Sequence, residues 1–189
     1  MHAFLLSTAV IFVAELGDKS QLMALTFATR FRTGPVLLGI TLATAVVHAV
    51  SVGIGAALGA TIPTRPIGII AAVAFVAFGL WTLRGDRLTD EDEERAASVS
   101  DRSAVLAVGT VFFLAELGDK TMLATITLAT KEGLVGTWAG STVGMVAADA
   151  LAIVVGRQLG ARLPERTIRI GAAVAFFAFA VFLLVDALG

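Results

Sequence analysis

Ala14-Glu15-Leu16-Gly17-Asp18-Lys19-Ser20 and, 101 positions later, Ala115-Glu116-Leu117-Gly118-Asp119-Lys120-Thr121 are near-copies of one heptapeptide. Each lies inside a long apolar run, where placing a charge at a bilayer centre costs roughly 2.5–3.5 kcal/mol on insertion scales. The likeness extends outward from the heptapeptides. Sliding the chain by 101 positions aligns residues 3–83 with 104–184 without a gap, and 33 of the 81 pairs are identical. Thr26 falls on Thr127, Gly55 and Gly59 on Gly156 and Gly160, Pro63 on Pro164, and Phe75 and Phe78 on Phe176 and Phe179. The chain is an internal duplication.

The rest of the composition says what kind of unit is duplicated. Of 189 residues, 57% are hydrophobic and only 15% charged, against roughly 45–50% and about 25% in a soluble domain. The mean hydropathy is +0.90. Spanning helices need about 20 apolar residues each. Six runs qualify, at 3–28, 35–59, 66–84, 103–129, 134–157 and 166–187. Breaks separate them at Arg30–Gly34, Thr61–Pro66, 85–102, Lys131–Gly133 and Gly160–Arg166. The expected fold is therefore an all-α membrane protein of six transmembrane helices. Residues 1–84 and 103–189 form two three-helix repeats, joined by an acidic linker over 85–102 that carries ten charges.

An odd number of spans per repeat obliges the second repeat to enter the membrane from the opposite side. The result is an inverted repeat, the plan of many secondary transporters. Arg30, Arg32, Arg84, Arg87, Arg95, Arg102, Arg157, Arg162, Arg166 and Arg169 would then share one side, and Arg65 and Lys131 the other. Positive residues favour the cytoplasm, so the linker is expected there and both termini outside. Residues 3–14 could pass for the core of a signal peptide, but no basic region precedes them and an equivalent segment, 104–115, occurs mid-chain.

Several function classes fall away. A net charge of −1 is not that of a nucleic-acid binder. With no Cys there is no disulfide scaffold, thiolate metal site or Cys nucleophile. Two His, His2 and His48, are too few for a His-rich metal centre. No phosphate-binding Gly-x-x-x-x-Gly-Lys-Ser/Thr loop is present, which argues against ATP-driven pumping by this chain alone.

The functional residues are expected among the charges within the spans: Glu15, Asp18, Lys19, Glu116, Asp119, Lys120 and Asp149, with His48 at the position matching Asp149. On an unbroken helix, Glu15, Asp18, Lys19, Leu22 and Thr26 share one face, as do Glu116, Asp119, Lys120, Leu123 and Thr127. Gly17 and Gly118 would allow local unwinding or a close helix approach. The two motifs carry four carboxylates and two lysines, a remainder of −2 that a divalent cation would neutralise. The carboxylates, together with Ser20, Thr121, Thr26, Thr127 and Gln21 as accessory donors, are hard oxygen ligands suited to Ca²⁺, Mn²⁺ or Mg²⁺. Gln21 pairs with Met122, which would make such a site asymmetric. The plainer alternative is that each Glu–Lys pair is a structural salt bridge. Duplication of the motif, with an acid beyond each lysine, speaks against it.

Lys19 and Lys120 have donors and no acceptor, so they are expected as internal counter-charges and not as ligands. Each would pair with its own Glu or with an Asp of the other repeat. Clustered carboxylates repel, so one of them should hold a proton until a cation displaces it. Asp149 and His48 are candidates for proton coupling. The spacings Gly55-x-x-x-Gly59, Gly136-x-x-x-Gly140, Gly140-x-x-x-Gly144 and Gly156-x-x-x-Gly160 suit close helix packing, and no oligomeric state follows from them. The Phe clusters at 75–78 and 176–179 read as lipid-facing or core filler.

The doubled heptapeptide resembles the twin Glu-x-Gly-Asp-Lys/Arg-Ser/Thr signatures of the GDT family of membrane manganese/calcium cation exchangers, which includes the human Golgi exchanger. The resemblance covers the whole chain. It implies transport of Mn²⁺ and/or Ca²⁺ with H⁺ as counter-ion, no cofactor, and Glu15, Asp18, Glu116 and Asp119 as the metal carboxylates. Without the long leader of eukaryotic members, the expected location is the plasma (inner) membrane of a prokaryote. The expected function is a secondary transporter that exports divalent cations in exchange for protons, not an enzyme. The alternatives are an exporter of an organic cation or amino acid, an intramembrane enzyme using paired carboxylates, and a non-transporting scaffold.

Overall fold

The computed structural model describes residues 1–84, 104–159 and 165–188. The acidic linker, and with it Arg87, Arg95 and Arg102, lies outside the described residues, as do Gly160, Arg162 and Pro164. Eight helices are described: α1 (His2–Glu15), α2 (Lys19–Arg30), α3 (Thr33–Thr61), α4 (Thr64–Arg84), α5 (Ala104–Glu116), α6 (Lys120–Ala129), α7 (Leu134–Leu159) and α8 (Glu165–Leu188). No strand occurs among these residues. Four helices are long and apolar enough to cross a membrane: α3, α4, α7 and α8. At 1.5 Å per residue, the 29 residues of α3 reach roughly 43 Å, ample for a bilayer core of about 30 Å with tilt.

The first and fourth apolar runs are not continuous helices. Each is broken at the heptapeptide into a pair of shorter pieces, α1–α2 and α5–α6. This corrects the shared-face reading of Glu15 through Thr26 and of Glu116 through Thr127, which needs an unbroken helix. The break is chemical in origin. Leu16 is extended (φ −63°, ψ 120°), and Gly17 and Gly118 adopt φ of +76° and +81°, the only positive values among the described residues. An L-residue there would bring its Cβ against the following carbonyl, so glycine is required. Asp18 and Asp119 then return to extended backbone and precede the first residues of α2 and α6.

Packing follows the duplication. α1 lies against α7, α5 against α3, and α4 against α8. A Cβ on Gly39 of α3 would stand 2.7 Å from the Val105 carbonyl oxygen of α5, and one on Gly140 of α7 would collide with the Phe4 carbonyl of α1. These are equivalent contacts, since 39 and 140, like 4 and 105, differ by 101. Gly55 abuts Ile126 and Gly156 abuts Leu25 in the same relation. Gly136 and Gly144 also seat α7 on the α1 backbone, the use expected of the small-residue spacings.

Equivalent residues also meet one another. The Thr44 hydroxyl donates to Met145 Sδ at 3.3 Å, and the Phe75 and Phe176 rings lie 5.8 Å apart. Phe75–Phe179 and Phe78–Phe176, at 4.8 and 6.1 Å, are the exchanged pairs. Phe75, Phe78 and Phe176 are buried, so these clusters fill the core where the two units join. On the outside, Leu38, Leu42, Val46, Val50, Ile54 and Leu58 form an exposed stripe along α3 at every fourth residue. In water such a patch would promote association; in a bilayer it is a lipid-facing surface.

Candidate cation site

Both breaks place charged side chains in the interior. Glu15, Asp18, Glu116, Asp119, Lys120 and Asp149 are all buried. The last residue before each break is held by the second residue of the next helix: Ser20 Oγ donates to Glu15 Oε1, and Thr121 Oγ1 donates to Glu116 Oε2 at 3.0 Å. Each hydroxyl thus latches two helix pieces across the turn. An N-terminal Asp ordinarily caps its helix through the side chain. Neither Asp18 nor Asp119 does so, and the Asp18 carboxylate instead accepts a bond from Lys120 Nζ of the other repeat. Pairing across repeats was one of the two arrangements open to the lysines. Lys19 is half-buried and forms no ion pair among the described residues.

The acids form one electrostatic group. Glu15 is acted on by the charges of Asp18, Glu116 and Asp149, and Glu116 by those of Asp119, Asp18 and Asp149. Lys120 acts on Glu15 as well as on Asp18. Sequence reading matched Asp149 to His48 as a proton carrier but did not place it beside the motif acids; it is a fifth carboxylate of the same cluster. His48 is buried on α3 with Nδ1 unbonded among the described residues. Glu15 Oε2, Glu116 Oε1 and both oxygens of Asp149 are buried and accept no hydrogen bond from described residues. Buried acceptors are nearly always satisfied. Four such oxygens, on Glu15, Glu116 and Asp149, are thus without a hydrogen bond among the described residues.

The remaining candidates are placed differently. Gln21 accepts from the Gly17 N–H at 2.8 Å and donates to the Ala148 carbonyl at 3.0 Å, so its amide ties the first break to α7 one residue before Asp149. Its counterpart Met122 offers only a thioether to the Gly118 N–H, at 3.2 Å. Thr26 is exposed and its hydroxyl bonds the Leu22 carbonyl. Thr127 bonds the Leu123 carbonyl and lines a separate cavity of about 280 Å³. Neither threonine joins the buried acids. Among the described residues no three acidic or histidine side chains close into a ready-made cage, and the ammonium of Lys120 is the cation held by Asp18.

The two glycines should respond unequally to alanine. At Gly118 nothing lies within 4 Å of an added Cβ, so G118A carries only the left-handed strain, about 1–2 kcal/mol. At Gly17 the Cβ would also stand 3.2 Å from Arg169 Cγ and 3.4 Å from Ile168 Cγ2. G17A should therefore lower the thermal midpoint in detergent more than G118A does, and equal losses would contradict this geometry.

The sequence model of a family described as "Divalent cation/proton antiporter GDT1" matches residues 3–90 and 104–189. The chain is 31% identical over 172 residues to a Vibrio cholerae protein named "Putative manganese exporter", covering 89% of this chain and 84% of that one. It is 30% identical over 198 residues to a GDT1-like protein of Synechocystis, covering 96% of each. A GDT1-like protein of Arabidopsis thaliana is 29% identical over 198 residues, covering 93% of this chain and 68% of that one. No solved structure matches. The family is one of cation transporters and not of enzymes. Matched over both of its halves, the chain belongs to the GDT1 family of divalent cation/proton antiporters.

Proposed function

We propose that this chain is a secondary transporter that exports Mn²⁺ and/or Ca²⁺ in exchange for protons, through one site shared by its two repeats. The observation that carries this reading is the buried, mutually interacting set Glu15, Asp18, Glu116 and Asp149, with four oxygens that accept no hydrogen bond among the described residues. Asp119 completes the acids, and Ser20 and Thr121 fix the two glutamates. The relative named for manganese export supports Mn²⁺ as cargo, and the all-oxygen donor set also suits Ca²⁺.

On this reading the paired half-helices α1–α2 and α5–α6 each complete one crossing, so the chain spans the membrane six times as two inverted three-helix units. The equivalent contacts of Gly39 with Val105 and of Gly140 with Phe4, and the meeting of Phe75 with Phe176, support a pseudo-two-fold relation between those units. Broken helices with their ends at a central site are the usual transporter arrangement, because the backbone at a break can line a cavity. The arginine distribution supports both termini outside, and the bacterial relative named for manganese export supports a plasma-membrane location.

Coupling needs no separate proton path. A divalent ion binds deprotonated carboxylates, so protons and metal compete for the same oxygens, and each crossing carries one or the other. A cation using Asp18 must also displace Lys120 from it. The test is purified protein in liposomes loaded with a Mn²⁺-sensitive dye. An imposed pH gradient should drive Mn²⁺ against its own gradient, and Ca²⁺ should compete. Dye signal that ignores the pH gradient would reduce the protein to a facilitator, and no signal with any divalent cation would remove the proposal.

A further inference from the structure

The two breaks are nearly identical in sequence and unequal in surroundings. Arg169 and Ile168, in the first turns of α8, pack directly on Gly17 at 3.2 and 3.4 Å from the position of its missing Cβ. The equivalent residues of α4 are Gly68 and Ile67, and nothing lies within 4 Å of a Cβ on Gly118. Gln21 further ties the first break to α7, an anchor that Met122 does not reproduce. The first break is therefore covered and the second is not.

The cover lies at the end of the bundle where α2 and α7 finish together, as the bond from Arg157 Nη2 to the Ala28 carbonyl at 2.6 Å shows. A cavity apart from the buried acids lies at the opposite end. There the cavity of about 280 Å³ is lined by residues including His2, Phe75, Thr127, Lys131 and Asp186. Lys131, at that end, is neutralised by Asp186 at 2.9 Å. Among the described residues Arg169 forms no ion pair, and its Nε is buried and without a hydrogen-bond partner. Its aliphatic stem packs on Gly17, between Glu15 and Asp18, so the side chain covers that turn, and its positive charge disfavours a divalent cation approaching from the arginine-rich end.

We propose that Arg169 is the gate residue of the arginine-rich end: its side chain covers the Gly17 turn there and must leave Gly17 before a cation can reach the carboxylates from that side. Its single-copy occurrence, opposite Gly68 in the other repeat, makes the two routes to one site chemically different. The gate rests on the transport reading, but its cover over the turn can be measured without transport.

Because the chain has no cysteine, Leu16→Cys gives one reporter beside Gly17. With Arg169 or Arg169→Lys, a water-soluble maleimide should modify it slowly. With Arg169→Ala the rate should rise at least about fivefold, the lower end of ordinary coupling effects; Arg169→Gln, which keeps the stem, serves if the alanine variant does not fold. In liposomes the same variants should pass Mn²⁺ without a pH gradient. Unchanged labelling in both variants, with wild-type transport intact, would overturn the gate. If wild type moves no divalent cation yet labelling responds, the gate geometry stands and the antiport reading fails.

Discussion

Glu15→Gln and Glu116→Gln are each expected to weaken Mn²⁺ binding by more than about 100-fold, beyond the 10–100-fold cost of altering an outer-shell partner. Each glutamate contributes one oxygen latched by a hydroxyl, Ser20 or Thr121, and one that accepts no hydrogen bond among the described residues. A glutamine amide keeps the latch but loses the charge that a divalent ion needs. Stability should move the other way. The like charges of Asp18, Glu116 and Asp149 act on Glu15, so removing one of them relieves repulsion, and the thermal midpoint without metal should hold or rise. Titration calorimetry with Mn²⁺, paired with thermal unfolding of the same samples, reads both effects. Retained affinity in either variant would remove that glutamate from the site.

Lys120→Met should be the most destabilising single change at the site, by about 3–5 kcal/mol, because it removes the buried ammonium paired with the Asp18 carboxylate. Lys19→Met, at a half-buried position with no ion pair among the described residues, should cost less than about 1 kcal/mol. Two residues equivalent in the duplication would thus differ several-fold in effect. Adding Asp18→Asn to Lys120→Met should restore much of the lost stability, since the double change removes both charges together. Equal losses from the two lysine variants would contradict the cross-repeat pairing.

The apolar runs, the duplication and the buried acids were legible in the sequence because each is a pattern of composition or spacing. The cross-repeat partner of Lys120 was legible only as one of two options. Sequence spacing could not choose between Glu116, four residues back, and an Asp brought close by packing. The helix breaks were half legible. Gly17 and Gly118 signalled possible unwinding, yet a helical projection still placed Thr26 and Thr127 with the acids. Once the left-handed glycine resets the helix, that phase is lost, and both threonine hydroxyls bond to carbonyls of their own helices. Gln21 reads as a donor by residue type, and only the fold shows its amide bridging Gly17 and Ala148. Arg169 was counted only as a topology signal. The usable clue was a mismatch in the duplication, arginine against Gly68, at a place where Ile67 and Ile168 on its flank are identical.

The central claim, that divalent cation and protons compete for one set of carboxylates, is tested most directly by Mn²⁺ titration calorimetry of the purified protein from pH 5 to 8, in buffers of different ionisation enthalpy. Metal binding at deprotonated ligands should release protons, so the observed enthalpy should scale with that of the buffer and the affinity should fall steadily as the pH is lowered. An affinity independent of pH, with no proton released on binding, would contradict competition at a shared site.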